Sequence, residues 1–578
     1  MKPVRLAAAA TLALPRWALY ALGLLYILPG LIGRELWKDD AGSFGIMWTM
    51  AHGSLNDWLL PNIAGLPVYD DGPLAFWLGA LCIKLFGWLV GDPMAARVST
   101  MAIFVCGAMS VWYTAFHLGR RPEAQPLRLA FGGQPEPDDY GRTLGDAAVL
   151  IYLGCLGLLL FSHETLAVTL QGALLAYFLY RAVRYVEHPS LRNAALIGLS
   201  LGALTLTRGL LTPLVLLLTL FFTTRFLKMP PARALTELGV SVLAALAIAA
   251  VWIVPALAVR PYDLTPVAHW MAWNAEQAAL PTWSSIRTFV HVGLWFFWPA
   301  WPFAGWAIYA WRRQNHLLHI VLPLSFVCAL SVLIVCDPAP ENGDLLKLLP
   351  PLAIMAAFGL PTMKRGAINA IDWFSVTVLT MIAGVVWLFW GARLTGWPAQ
   401  FARNVLKLLP GYKPEFGPLA FIVAACASVG WIALVNWRLS RQPSVLWRAV
   451  VLSSGGLILL WVMLTTLFLP DLNYSKSYAS VARQLAAQLP PGGGCIDTNV
   501  GMPQRASLAY YGALPFAGVA SAGQCDLFLL QHSVRLHDKH EMTTPPGDAQ
   551  WQLLWEGRRA SDRDERFKLY RRTAQTRR

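Results

Sequence analysis

The chain has 578 residues, of which 56% are hydrophobic and only 13% are charged. Soluble globular proteins are about a quarter charged, so this composition excludes an ordinary soluble protein and indicates a polytopic membrane protein. The net charge of +14 at pH 7 does not indicate a nucleic-acid partner, because Lys and Arg form short clusters between apolar runs, such as Arg120-Arg121 and Arg312-Arg313. Such clusters are typical of loops that stay on the cytoplasmic side of a membrane.

About thirteen apolar segments have the length of roughly 20 residues that a transmembrane helix needs. In chain order these predicted spans are 13–33, 95–118, 145–162, 165–184, 192–208, 210–227, 236–258, 288–311, 317–336, 345–363, 370–392, 416–437 and 446–469. The apolar stretch 74–91 is short and contains Lys84, so we expect a helix lying in the membrane interface there. With this count, the Lys and Arg clusters place the N-terminus in the cytoplasm and the C-terminal segment outside. A further span at 74–91 would move the C-terminal segment to the cytoplasm.

Acidic residues concentrate in the loops that this topology places outside. The long first outer loop, 34–94, carries Asp39-Asp40 and Asp70-Asp71, and Glu164 falls at a tight turn between two predicted spans. Several loop acids are expected to be simply solvated. Carboxylates held beside a membrane are nevertheless costly unless they are paired or functional, so these positions are candidate site residues.

Residues 471–578 predict a small soluble α/β domain that follows a transmembrane domain at 1–470. A helix is expected over 477–489, and strands are expected at 495–497, 527–530, 551–555 and 567–570. Cys495 and Cys525 both fall in this domain and each borders a short apolar run. An oxidising compartment would allow a disulfide between them, and two free thiols are the alternative.

The first outer loop resembles that of the protein O-mannosyltransferase-like family, which includes the bacterial aminoarabinose lipid A transferases. The resemblance rests on the order and spacing of Leu36–Ala41, Asp57–Asn62 and Tyr69–Trp77. The step Leu206-Thr207-Arg208-Gly209 is similar to the family's Leu-Thr-Lys-Gly at the outer end of a span. One departure is Asp71, which occupies the place of a family lysine that is thought to contact the lipid phosphate.

The resemblance implies an all-α polytopic fold of the GT-C type and a polyprenyl-phosphate sugar donor. Sugar transfer needs a base for the acceptor hydroxyl and fixed positive charge for the leaving phosphate. Asp39 is the predicted base, Asp40 is predicted to orient the loop, and Arg208 is the predicted phosphate ligand because a guanidinium binds phosphate at two points. The alternative for Arg208 is a basic side chain that only reaches for the interface.

Other residues are weaker candidates for the same site. The further predicted substrate-binding residues are Tyr69, Asp70, Asp71, Glu164, Arg287 and Lys347. Some relatives hold a metal with a histidine of the loop between the seventh and eighth spans and an acid of the first loop. That makes His269 and Asp70 candidate ligands of a divalent metal ion, which we do not expect transfer to require.

A transporter or flippase of a lipid-linked glycan is the alternative class of function. Transporters commonly contain internal repeats and broken helices with polar residues at the midplane, and the sequence contains no repeat of two halves. A membrane scaffold protein would leave the first-loop pattern unexplained. No glycine-rich nucleotide cradle is evident, which favours a lipid-linked sugar donor. The acceptor stays open between lipid A, another surface glycan and a protein.

Overall fold

The computed structural model describes residues 4–12, 14–128, 132–227, 231–259, 265–338, 340–439, 446–490, 494–518, 523–533, 544–546 and 550–573. The helices up to the middle of the chain are α1 (Arg16–Ile27), α2 (Lys38–His52), α3 (Leu55–Leu59), α4 (Leu74–Val90), α5 (Asp92–Arg120), α6 (Pro137–Leu153), α7 (Leu156–Phe161), α8 (Ala167–Glu187), α9 (Leu191–Arg208), α10 (Leu211–Phe226), α11 (Pro231–Val259) and α12 (Thr265–Glu276). The remaining helices are α13 (Trp283–Phe296), α14 (Ala300–Ala310), α15 (Leu318–Val335), α16 (Leu349–Ala357), α17 (Arg365–Thr395), α18 (Ala399–Leu408), α19 (Pro418–Leu439), α20 (Arg448–Leu467), α21 (Leu469–Lys476), α22 (Ala479–Ala486) and α23 (Met502–Gly512). Short 3-10 helices lie at Ala8–Thr11, Asn342–Leu348 and Leu360–Thr362.

The chain is an integral membrane protein, as its composition predicts. Within the described ranges, seven helical segments are long and apolar enough to cross a membrane: those in α5, α11, α15, α17, α19 and α20, and the segment Asn342–Thr362 around α16. Helices α1, α4 and α10 are shorter and apolar. A helix or two consecutive helices lie at each of the thirteen predicted span positions, and α4 occupies the predicted interfacial stretch. The predicted class, a polytopic helical protein with a small C-terminal domain containing a sheet, is confirmed.

Two of the predicted spans are each divided into two helices. The segment 145–162 breaks between α6 and α7, and the segment 288–311 breaks between α13 and α14, just before Ala300. Pro299 contributes to the second break because proline has no N–H to continue a helix. The two breaks meet, since the backbone N–H of Leu156 donates to the carbonyl of Trp298 at 3.2 Å. Polar backbone groups released by one break are therefore satisfied by the other.

Two central helices form the core of the transmembrane part. Thirteen of the 17 residues of α6 and all nine residues of α16 are buried. In contrast, few residues in the apolar segments of α11, α17 and α19 are buried, and each of these helices exposes several large apolar side chains. Because no aqueous surface tolerates so much exposed apolar area, these faces are suited to contact with lipid.

The first outer loop is mostly regular structure rather than irregular coil. It contains α2 and α3, a short hairpin of β1 (Asn62–Ile63) and β2 (Leu66–Pro67), and α4. Their apolar side chains form a separate cluster that includes Phe44, Met47 and Phe76. The loop therefore has its own core, which holds its acidic residues in defined positions.

The C-terminal part forms a four-stranded mixed sheet with helices α22 and α23 packed against it. The strands are β3 (Ile496–Thr498), β4 (Leu527–Ser533), β5 (Trp551–Gly557) and β6 (Glu565–Arg572), in the order β3-β4-β6-β5. β3 and β4 are parallel, and the other two pairs are antiparallel. All four predicted strands are present at the expected positions. The predicted disulfide joins Cys495 and Cys525, whose Cα atoms are 5.3 Å apart.

The C-terminal part docks on the first outer loop through α23. Arg505 of α23 donates to the carbonyls of Ile63 at 3.0 Å and Ala64 at 2.7 Å, both in the β1–β2 hairpin. Helix α23 crosses α2 at close range, since a Cβ at Gly45 would lie only 2.5 Å from that of Ala506. This docking brings the start of α23 over the acidic residues of the loop.

Candidate functional site

A cavity of about 400 Å³ lies where the first outer loop, the transmembrane helices and the C-terminal part meet. Its lining includes the polar and aromatic side chains of Asp39, Asp70, Asp71, Arg208, Trp273 and Glu341. The start of α23 closes one side with Met502 and Pro503. Residues that are up to 464 positions apart in the sequence thus line one cavity, which contains several carboxylates and a guanidinium.

Asp39 and Asp40 are adjacent in sequence but have different surroundings. Both lie in the first turn of α2, where the helix dipole favours negative charge. Asp39 is half-exposed and lines the cavity, and its Oδ2 lies 2.7 Å from Nζ of Lys476. Asp40 is buried and pairs with Arg34 at 3.2 Å, while Arg34 also donates to the carbonyl of His163. Asp39 is therefore the accessible carboxylate, and Asp40 ties α2 to the transmembrane part.

Glu164 is a buried acid at the turn between α7 and α8. Its burial, together with the nearby carboxylate of Asp40, raises the pKa of Glu164 to about 8. The positive charges of Arg34 and Lys476 oppose this shift. At pH 7 Glu164 is thus predominantly a neutral acid packed beside the Asp39–Asp40 turn.

Arg208 ends α9 and is surrounded by three carboxylates. Its Nε lies 3.2 Å from Asp71, one terminal nitrogen lies 3.1 Å from Glu341, and the other lies 3.4 Å from Asp344. Lys347 approaches the same Asp344 at 2.8 Å. The guanidinium is 8% exposed, so this arrangement fixes its position firmly. Glu341 is 67% exposed and is the partner that an incoming anion can displace most easily.

Two glycines allow the first loop and α12 to approach the end of α9 that carries Arg208. The N–H of Gly72 donates to the carbonyl of Thr207 at 3.0 Å, and a Cβ at Gly72 would lie 2.1 Å from the carbonyl oxygen of Leu206. Gly209 has φ +107°, and a Cβ there would lie 2.2 Å from Oδ1 of Asn274. Any larger residue at Gly72 would push the loop away from the end of α9, and one at Gly209 would push Asn274 of α12 away from it.

The two acids that precede Gly72 have weakened acidity. Burial is the main cause that raises the pKa of Asp71 to about 6, even though Arg208 acts in the opposite direction. Burial and the nearby charge of Glu341 also raise the pKa of Asp70. Asp71 therefore loses most of its negative charge as the pH falls towards 5, which leaves Arg208 with one competing partner fewer.

The remaining predicted residues lie around the cavity or apart from it. Lys347 is buried behind Arg208, and its Nζ bonds to Asp344. Tyr69 contacts the ring of His269, with 4.8 Å between the ring centroids. Arg287 is exposed on α13 and is not among the described residues that line the cavity. The described residues contain no group of three or more His, Cys, Asp or Glu side chains placed to hold a metal ion, so the His269–Asp70 metal site stays a prediction.

Sequence reasoning missed several polar residues at the site. Lys476 contacts Asp39 across a separation of 437 residues, and Glu341 contacts Arg208 across 133 residues. Neither pair has a local pattern that could reveal it. The i,i+3 spacing of Asp344 and Lys347 is the one signal of this kind that the sequence offers.

Comparison with solved structures identifies the fold. No family model matches the chain, and no curated protein sequence matches it. The crystal structure of ArnT from Cupriavidus metallidurans bound to undecaprenyl phosphate matches with a TM-score of 0.66 and 15% identity, over 97% of this chain and 98% of that chain. The crystal structure of the same protein in the apo state matches with a TM-score of 0.65 and 15% identity, over 96% and 97%. The chain therefore has the fold of ArnT over almost its whole length, which confirms the predicted GT-C type architecture.

Proposed function

We propose that this protein is an integral-membrane glycosyltransferase that takes a sugar from a polyprenyl-phosphate donor. The observation that carries the proposal is the shared cavity, in which an accessible carboxylate, Asp39, and a fixed guanidinium, Arg208, both contribute to the lining. A further support is the whole-chain likeness to ArnT, which was crystallised with undecaprenyl phosphate. A donor anchored in the bilayer suits a site that lies where the transmembrane helices meet the first outer loop.

Asp39 is the proposed general base. The acceptor's hydroxyl oxygen attacks the anomeric carbon of the sugar, a new C–O bond forms, and the hydroxyl proton passes to the Asp39 carboxylate. Asp39 is half-exposed at the cavity, so it can contact an acceptor, whereas Asp40 is buried against Arg34. This difference explains why two adjacent carboxylates have separate roles.

Arg208 is the proposed ligand of the leaving group. The bond between the anomeric carbon and the phosphate oxygen breaks with its electron pair on the oxygen, and polyprenyl phosphate departs. A guanidinium already held by Asp71 and Asp344 needs little reorganisation to stabilise that charge. The phosphate would replace the exposed Glu341 on Arg208. Asp70 and Asp71 would contact the sugar, and a neutral Glu164 would support the turn beside Asp40.

The proposed location is the outer face of a bacterial inner membrane. The Lys and Arg clusters support a cytoplasmic N-terminus and a C-terminal domain in the periplasm. The disulfide between Cys495 and Cys525 suits an oxidising compartment. A reporter fused after residue 578 should be active in the periplasm, and activity restricted to the cytoplasm would contradict this topology and imply that 74–91 spans the membrane.

The direct test is donor turnover by the purified full-length protein in proteoliposomes. Membrane extracts would supply lipid-linked sugars and acceptors, and mass spectrometry would measure conversion of donor to undecaprenyl phosphate. We expect Asp39→Asn to lower the rate by at least ~10²-fold, in line with the loss of a general base. Arg208→Ala should impair turnover, and Arg208→Lys should partly restore it.

Asp138→Asn provides a matched control. Asp138 pairs with Arg120 at 2.7 Å, and the two side chains are 50% and 43% exposed, so this pair resembles Asp39–Lys476 in distance and exposure but does not line the cavity. Asp138→Asn should keep the wild-type rate of donor turnover. Near-full turnover by Asp39→Asn would overturn the assigned base. Transbilayer movement of the donor without any sugar transfer would support a flippase instead.

A further inference from the structure

Helix α21 connects the last transmembrane helix to the C-terminal domain and lies against the start of the first outer loop. Oδ1 of Asn473 accepts hydrogen bonds from the Trp37 indole N–H at 2.9 Å and from the backbone N–H of Glu35 at 3.1 Å. Nδ2 of Asn473 donates to the carbonyl of Gly33 at 3.0 Å. Just beyond the helix, Ser477 forms an isolated β-bridge with Trp37. Helix α21 is thus joined by several polar contacts to the residues that precede Asp39.

Lys476, the last residue of α21, contacts Asp39 itself. Its Nζ lies 2.7 Å from Oδ2 of Asp39 and 5.0 Å from the ring centroid of Trp37. Arg34 lies 4.0 Å from the same ring centroid and pairs with Asp40. Two cations therefore contact one indole, and each also holds one of the two adjacent carboxylates. A carboxylate restrained at one oxygen by an ammonium group has fewer orientations to lose when the other oxygen accepts a proton.

We propose that Lys476 is a positioning residue that holds the Asp39 carboxylate through Oδ2 and leaves Oδ1 for the acceptor hydroxyl. The inference rests on the proposed function, because it requires Asp39 to act as the base. It assigns a role in the transmembrane site to the helix that enters the C-terminal domain. Lys476 acts on the base side of the reaction, and Arg208 acts on the phosphate side.

A double-mutant cycle on the full-length protein tests this inference. Transfer would be measured for wild type, Asp39→Asn, Lys476→Met and the double variant, with expression and thermal unfolding as checks of folding. We expect Lys476→Met to lower transfer by at least about tenfold, since a small misplacement of a catalytic group has effects of up to ~10²-fold. The transfer rate of the double variant should equal that of Asp39→Asn within about twofold, because the effects of substituting two contacting residues that act together are not additive. Lys476→Arg, which keeps a cation in reach of Asp39, should recover most of the loss.

The binding of undecaprenyl phosphate distinguishes a base-side role from a phosphate ligand. We expect Lys476→Met to bind this probe with wild-type affinity and Arg208→Ala to bind it more weakly. Arg120→Met is the matched control for transfer, because Arg120 likewise pairs with an exposed Asp at 2.7 Å and lies 5.1 Å from the ring centroid of Phe116.

Several outcomes would overturn the inference without touching the proposed function. Full additivity of the two substitutions, or lost affinity for undecaprenyl phosphate in Lys476→Met, would show that Lys476 acts elsewhere. Wild-type transfer by Lys476→Met, with Asp39→Asn inactive, would show that the ion pair has no role in transfer. If Asp39→Asn itself retains transfer, the proposed base fails, and the inference fails with it.

Discussion

Substituting Asp71 by Asn should strengthen the binding of undecaprenyl phosphate. Asp71 lies 3.2 Å from Nε of Arg208, where its negative charge offsets part of the positive charge that a phosphate would meet in place of Glu341. Two unit charges at this separation attract by ~5 kcal/mol at an effective dielectric constant of about 20. Arg208 keeps Asp344 as a partner, and water screens the Arg208–Asp71 pair, so we take a net competition of about 1–2 kcal/mol between Asp71 and the phosphate. That energy corresponds to about 5- to 30-fold tighter binding by Asp71→Asn.

The pH dependence of this effect has a definite sign. The pKa of Asp71 is raised to about 6, so Asp71 is ionised above that pH and holds Arg208, whereas below it Asp71 is protonated and releases the guanidinium. The advantage of Asp71→Asn over wild type should therefore be largest near pH 8 and should vanish near pH 5. Comparing variants at each pH cancels the titration of the phosphate itself.

Equilibrium binding of undecaprenyl phosphate to the purified protein, measured from pH 5 to pH 8, is the appropriate assay. Asp71→Glu keeps the charge and should retain the wild-type pH profile. Equal affinity of Asp71→Asn and wild type at pH 8 would refute the competition, and an advantage that persists undiminished at pH 5 would refute the assigned titration.

Three further predictions concern stability. Burial raises the pKa of Glu164 to about 8, so Glu164 binds more protons in the folded protein than in the unfolded chain; it favours folding most below pH ~4.5 and loses this contribution as the pH rises through 8. Glu164→Gln should therefore unfold at a higher temperature than wild type at pH 9 but not at pH 5. The same dependence of unfolding temperature on pH in both proteins would contradict the raised pKa. Cys495→Ser opens a covalent loop with a sequence separation of 30 residues and should destabilise the C-terminal domain by about 3–4 kcal/mol in the chain-entropy model. Denaturant unfolding of that domain would measure this loss, and an unchanged unfolding midpoint would contradict it. Arg505→Met leaves two carbonyls of the β1–β2 hairpin without the Arg505 donor, so limited proteolysis should cut the junction of the C-terminal domain faster than in wild type. Equal cleavage rates would show that other contacts are sufficient to dock this domain on the first outer loop.

The sequence predicts the helices well because a transmembrane helix is a local property of about 20 apolar residues. Helices lie at all thirteen expected positions, although α6–α7 and α13–α14 each replace one predicted span. Pro299 is a local signal of the second break, but no local pattern shows that the two breaks meet through the hydrogen bond between Leu156 and Trp298, which are 142 positions apart. Within the first outer loop, α4 lies at a predicted position, whereas α2 is not predicted, because its packing depends on contacts with the distant helix α23.

The candidate site was predictable only where a motif marks it. Asp39, Asp70, Asp71 and Arg208 were identified from a resemblance in spacing, and all four line one cavity. No motif marks Arg287, and it lies exposed on α13. The partners that define the electrostatics of the site, such as Lys476 for Asp39, come from distant parts of the chain. Their positions follow from tertiary packing, which spacing in a single sequence does not encode.

The central claim is sugar transfer from a polyprenyl-phosphate donor with Asp39 as the base. The most direct measurement is mass spectrometry of lipid A, surface polysaccharide and envelope proteins from cells that carry the wild-type gene, Asp39→Asn, Asp138→Asn or no gene. A single glycan addition should be present with wild type and Asp138→Asn, and absent with Asp39→Asn and without the gene, at equal protein levels. The same addition in cells that express only Asp39→Asn, or identical envelopes with and without the gene, would contradict the claim.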